Sequence, residues 1–159
     1  ECWLMATFFV YGTLMKGFRN HQKFLPEHVF SRVVPGIMRG VYLVHFEQGY
    51  PGMYKLSDDG AGQSVEGEIV YVKEEFVEEV TAQLDFLEGY VKGETDNLYE
   101  RETVTIVEKQ SKDEVECETY FCLLDDSTGT KVQGNPASWR AFMESNQYVD
   151  AAENWATKE

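Results

Sequence analysis

One carboxylate is set apart from the other acids of the chain by where it falls. Glu88 sits in the segment Leu84-Asp85-Phe86-Leu87-Glu88-Gly89-Tyr90, at the end of a pattern in which Phe76, Val77, Val80, Leu84 and Leu87 recur at helical spacing. Gly89 follows as a stop signal. At roughly 100° per residue the apolar stripe is centred near Val80 and Leu87, which puts Glu88 about 70° away, on the border. Asp85 falls on the far side and is expected to be well exposed. A border position implies partial burial. Burial and the negative pole of the helix both raise a carboxyl pKa towards neutrality. A carboxyl poised near working pH is a good proton shuttle. A solvated glutamate at a fraying helix end has the same local sequence.

A second segment offers complementary chemistry. The β-favouring run T-F-F-V-Y at residues 7–11 stops at Gly12, and Thr13 and Leu14 follow. Gly12 permits a tight turn. If the chain then enters a turn or a helix start, successive N–H groups point outward together and form a nest for a carboxylate or an oxyanion. An ordinary turn after a strand meets the same description.

Other motifs fail on their chemistry. Gly12 and Gly17 have P-loop spacing, but Phe18 stands where the phosphate-binding Lys belongs. G-Q-S-V-E at residues 62–66 lacks the last glycine of a nucleophile elbow. His21, His28 and His45 have no ligand spacing and there is no C-x-x-C, so no metal is expected. The cysteines are Cys2, Cys117 and Cys122; an odd count is no disulfide framework, and the last two, five apart in a strand, face opposite sides as buried thiols. The acidic pairs Asp58-Asp59, Glu78-Glu79 and Asp125-Asp126 read as solvated surface.

The elements that must position these residues are mostly short strands. Strands are expected at residues 7–11, within 33–46, and at 53–56, 65–72, 99–108 and 114–124. Helices are expected within 20–30, at 74–88, and at 138–148 with Trp139, Phe142 and Met143 on one face. Gly49-Tyr50-Pro51-Gly52 reads as a turn, with Tyr50 pushed towards an extended conformation by Pro51. Strand and helix do not alternate regularly, which argues against a doubly wound sheet and for an antiparallel-rich α+β fold or a small barrel. The domain is expected over residues 5–150. The four residues before Met5 are expected to be an upstream artefact, and 151–159 a polar tail.

The 159 residues, 43% of them hydrophobic, can supply one core. A formal charge of −14, with 28 acidic against 14 basic residues, excludes nucleic acid and anionic membranes as natural partners. The acidity serves solubility or attracts a cationic substrate. No apolar run approaches the roughly 20 residues of a membrane span. A cytoplasmic protein is expected.

Taken together, the two segments resemble the γ-glutamylcyclotransferase-like family, and within it the γ-glutamylamine cyclotransferase and AIG2-like branch. F-V-Y-G-T-L-M-K-G-F-R-N-H, residues 9–21, is similar to that branch's opening strand and loop. L-D-F-L-E-G-Y, residues 84–90, resembles its catalytic helix end. G-Y-P at 49–51, V-E-G-E-I-V at 65–70 and Y-E-R-E-T-V at 99–104 follow in the family's order, so the likeness covers about residues 8–124. The resemblance implies a small mixed, mainly antiparallel β-barrel with a few flanking helices. It implies that Tyr11, Gly12, Thr13 and Leu14 hold the glutamyl carboxylate through backbone N–H groups, that Glu88 is the general acid/base, and that Tyr50, Tyr99 and Tyr120 line the pocket. The reaction implied is attack of a small γ-glutamyl substrate's own α-amino group on its γ-carbonyl, giving 5-oxoproline and a free amine or amino acid, with no cofactor and no metal. Rival readings are a non-catalytic carboxylate-binding module on the same fold and an amide-cleaving enzyme that uses water. The segment V-K-G-E-T-D-N-L at 91–98 departs from the family pattern beside the pocket mouth.

Overall fold

A computed structural model describes residues 5–57 and 62–146. Residues 1–4, the Asp58-Asp59 pair, the end of the expected last helix at 147–148 and the polar tail lie outside the described residues.

Five strands close into a barrel. β1 (Thr7–Val10), β2 (Phe30–Arg39), β5 (Ser64–Val72), β6 (Tyr99–Glu108) and β7 (Glu114–Cys122) pair in the ring β1-β7-β6-β2-β5 and back to β1. All pairings in the ring are antiparallel except β1 with β7, where Phe8 lies opposite Glu118. Registers such as Phe9 opposite Ile69 and Val34 opposite Ile69 carry bulky residues to a shared interior. β9 (Ala137–Ser138) runs parallel to the start of β5, beyond the reach of β1. A second sheet joins β3 (Val41–His45), β4 (Pro51–Lys55) and β8 (Thr130–Lys131) in the order β4-β3-β8. This is the mixed, mainly antiparallel barrel that the resemblance implies.

Among the described residues three α-helices flank it: α1 (Arg19–Phe24), α2 (Val77–Leu87) and α3 (Trp139–Ser145). None of the described helices is long and apolar enough to cross a membrane. The core runs through Phe8, Phe9, Leu43, Ile69, Leu84 and Ile106, all at most 1% exposed. Cys117 and Cys122 are buried free thiols.

Two local expectations need adjusting. The expected turn at 49–52 sits earlier: Gly49 N–H donates to Phe46 O at 2.9 Å and Phe46 N–H to Tyr50 O at 2.9 Å. Pro51 then opens β4, a first-residue position where its missing N–H costs no ladder bond. The helix expected from residue 74 begins as a 3₁₀ turn, Glu74–Phe76, before α2.

Candidate active site

The loop after β1 is held from several sides. Met15 N–H donates to Gly12 O at 3.0 Å and closes the turn. Lys16 N–H donates to Glu68 Oε1 at 2.8 Å. Arg140 on α3 donates to Lys16 O at 2.6 Å and reaches Glu68 Oε2 at 3.3 Å. Trp139, wholly buried, packs its ring 5.1 Å from that of Phe18 and donates from Nε1 to His45 Nδ1 at 3.3 Å. Among the described residues the N–H groups of Gly12, Thr13 and Leu14 donate no hydrogen bond. They have the free donors that a nest requires.

Gly12 is needed for a reason the sequence did not show. Its φ is not in the left-handed region. A Cβ there would lie 2.4 Å from Pro51 Cγ and 2.9 Å from Pro51 Cδ. The ring of Pro51 cannot swing away, so Gly12→Ala is expected to lower stability by about 2 kcal/mol, the scale of an overpacked core. Urea unfolding measures this, and an unchanged midpoint would contradict the close approach.

Glu88 occupies the C-cap of α2. Its N–H donates to Leu84 O at 2.9 Å, that of Gly89 to Phe86 O at 3.2 Å, and that of Tyr90 to Asp85 O at 2.9 Å. This is a Schellman ending, with Gly89 at φ +65° in the left-handed region that glycine tolerates. The ending turns the chain sharply and leaves the Glu88 side chain facing a cavity. Glu88 is partly accessible from the cavity but enclosed by protein, and burial pushes its carboxyl from the ordinary 4.5 up to about 8. Exposed Phe86 shows how close the border lies.

Three tyrosines surround the carboxyl, each with its hydroxyl proton engaged. Tyr11 donates to Tyr120 O at 2.6 Å, Tyr99 to Pro51 O at 2.8 Å, and Tyr120 to Asp85 Oδ1 at 2.6 Å. Burial first, and then neighbours that include Glu88, raise the pKa of Tyr11 and of Tyr99. Burial, followed by the bond to Asp85, raises that of Tyr120. All three stay neutral and present rings to the cavity.

The cavity has a volume of about 300 Å³. Every residue singled out from the sequence borders it: Tyr11, Gly12, Thr13, Leu14, Tyr50, Glu88, Tyr99 and Tyr120. Tyr99 is among them, directly after the segment 91–98.

The structure adds residues to which sequence reasoning gave no part. Asn20 on α1 borders the cavity and donates from Nδ2 to Thr13 Oγ1 at 2.8 Å, so it ties the loop to the helix. Its signal was its place within the family-like segment 9–21.

Asp85 corrects an expectation: it is not well exposed. It accepts from Tyr120 and from Arg101, whose Nε lies at 2.9 Å and Nη2 at 3.3 Å. Arg101 also donates to Glu118 Oε1 at 2.7 Å, and Thr103 donates to the other Glu118 oxygen. Asp85 does point away from the apolar stripe of α2. The helix end overhangs the barrel, however, and side chains from β6 and β7 rise to meet it. No periodicity within one helix could report that. Among the described residues, no group of three or more His, Cys, Asp or Glu is placed to hold a metal ion.

Comparison with known proteins places this geometry in a context. YkqA from Bacillus subtilis has a similar structure, with a TM-score of 0.62 at 20% identity over 91% of this chain; the match spans only 43% of that protein. An AIG2-like protein from Mus musculus matches at TM-score 0.56 and 23% identity, over 86% of this chain and 97% of its own. A γ-glutamyl cyclotransferase from yeast, specific to glutathione, matches at TM-score 0.56 and 14% identity, over 90% and 86% of the two chains. At such identities the likeness establishes the fold. A search of curated protein sequences finds no match. Residues 8–141, by contrast, match the family model described as gamma-glutamyl cyclotransferase, AIG2-like. That match includes the loop, Glu88 and all three tyrosines around it, and the chain belongs to this family.

Proposed function

We propose that the chain is a γ-glutamyl cyclotransferase that releases 5-oxoproline and a free amine from a small γ-glutamyl compound, with Glu88 as its acid/base. The observation that carries this reading is the Glu88 carboxyl, pushed up to about 8 by burial and facing the cavity that the free N–H groups of Gly12, Thr13 and Leu14 also border.

Those N–H groups hold the glutamyl α-carboxylate. Glu88 in its ionised form takes a proton from the substrate α-ammonium group. Such a group ordinarily titrates at about 7.7–8.0, so the transfer is close to even. The freed amine attacks the γ-carbonyl carbon, a C–N bond forms, and the carbonyl electrons move onto oxygen. Collapse of this oxyanion breaks the bond to the leaving nitrogen as protonated Glu88 gives its proton there. The attacking nitrogen, left with one proton too many by the new C–N bond, passes it through the freed Glu88 carboxylate to the departing amine, which leaves as its ammonium ion. No protein nucleophile is consumed. Ring closure draws on the high effective molarity of an intramolecular reaction once the folded-back conformer is held. Neutral tyrosine rings and the Pro51 ring keep water from the carbonyl.

The test is incubation of the purified protein with a panel of γ-glutamyl compounds and mass detection of the products. 5-Oxoproline in step with released amine is expected. Free glutamate in its place would make water the nucleophile and overturn the reading. Binding without any turnover would make the cavity a carboxylate-binding site.

A further inference from the structure

We infer that the amine released at this site carries an apolar substituent and no carboxylate, and that Leu98 is the side chain that selects it. The inference rests on the cyclotransferase reading for the word "released" and on the cavity wall for the rest.

The residues that border the cavity fall into two groups by their contacts. Gly12 meets Pro51, and Thr13 is tied to Asn20 by a hydrogen bond, which gathers polar groups at the loop. Leu87, Leu98 and Leu124 make the other side, and Glu88 follows Leu87 directly. Among the described residues that border the cavity there is no Lys, Arg or His. Arg101, which shares Asp85 with Tyr120, is already engaged by Asp85 and Glu118.

Leu98 is 51% exposed, yet it is firmly built in. Its N–H donates to Gly89 O at 3.2 Å and its carbonyl accepts from Leu123 N–H at 2.9 Å. Its Cδ1 lies 3.2 Å from where a Cβ on Gly89 would stand, so it packs over the glycine that turns the chain after Glu88. The segment leading to it is closed by Asn97, which accepts from Val91 N–H at 2.9 Å and donates to Val91 O at 3.0 Å. Val91 and Leu123, which flank this segment through their backbone bonds to Asn97 and Leu98, are also exposed. Because Leu98 borders the cavity as well as being exposed, its side chain is open to what the cavity holds.

A hydrocarbon laid along this wall gains about fourfold in affinity for each methylene it buries. A carboxylate in the same place loses hydration with no cation among the described bordering residues to replace it. The segment 91–98, which departs from the family pattern, therefore sets selectivity for the leaving group.

The experiment compares the γ-glutamyl amides of n-hexylamine and of 6-aminohexanoate, which match in length and differ in the terminal carboxylate. Initial rates of 5-oxoproline formation give kcat and KM, and calorimetry on Glu88→Gln gives binding without turnover. At least a tenfold preference for the hexyl compound is expected in both. Leu98→Ser should cut that preference to about threefold or less by raising KM for the hexyl compound. Equal turnover of the two long compounds, or a preference that survives Leu98→Ser intact, overturns this inference and leaves the cyclotransferase reading standing. Selective binding with no 5-oxoproline overturns that reading and leaves the apolar subsite standing. Binding of neither compound overturns both.

Discussion

Glu88→Gln is expected to lower kcat for 5-oxoproline release by about 10²–10⁴, the range of a lost general acid/base, while KM stays within about threefold. Glutamine keeps the shape and can donate or accept a hydrogen bond, but it cannot carry the proton from the attacking amine to the leaving one. The pH profile sharpens the test. In the wild type, kcat/KM should rise as pH rises through about 8, the value to which burial pushes the carboxyl, because only ionised Glu88 can accept the substrate proton. That limb should vanish in Glu88→Gln. Stability should respond with the opposite sign. The folded state holds a proton that the unfolded chain gives up above its ordinary 4.5. Folding is therefore favoured most below that value and loses stability as pH rises to about 8. Glu88→Gln escapes this loss, so its stability relative to wild type should grow between pH 5 and pH 9 by at most about 4 kcal/mol, read as a widening difference in melting temperature. A variant with wild-type kcat at every pH would remove Glu88 from the chemistry.

Arg101→Met is expected to cost about 3 kcal/mol, the range for breaking a partly buried ion network by removing one partner. The guanidinium bridges Asp85 under the helix end to Glu118 on the barrel wall, with all three side chains at most 20% exposed. Without it two carboxylates remain close together with no cation, and Tyr120 is left bonded to an uncompensated Asp85. Because Asp85 lies one turn before Glu88 on α2, loosening it frees the end that aims Glu88 at the cavity. A fall in kcat should accompany the loss of stability. Arg101→Lys keeps the charge but not the fork that serves both acids, and should lose about half as much. Denaturant unfolding with 5-oxoproline assays on the same samples checks both effects. Arg101→Met with wild-type stability would show that the network holds nothing in place.

How much of this was legible beforehand differs from element to element. The strand at residues 99–108 matches β6, and the helix at 74–88 contains α2, because in each case one face meets a continuous apolar surface and the periodicity records it. The reading of Gly12 was incomplete. A glycine after a strand looks like a turn, whereas here it makes room for a proline nearly forty positions away in the chain. Asp85 was misread for a similar reason. A helical wheel separates the apolar side of α2 from the rest, but the rest is not all solvent.

The sequence by itself determined the local units and their chemistry: the strand and free-donor loop at residues 7–14, the amphipathic helix that ends in Glu88 and Gly89, and the strand that opens at Tyr99. Each depends on neighbours within about a dozen positions, where propensity, periodicity and turn chemistry act directly. Only the tertiary structure decided how they meet. The closure of the barrel by β1 with β7, the hydroxyl bond from Tyr11 to the Tyr120 carbonyl, the Asp85–Arg101–Glu118 bridge and the place of Leu98 at the mouth depend on registers between segments far apart in the chain. Periodicity says which face of a strand or helix is buried; it does not say against what. That second fact raises the Glu88 carboxyl to about 8, because the cavity around it is assembled from β1, β4, β6, β7, α1 and the loops that join them.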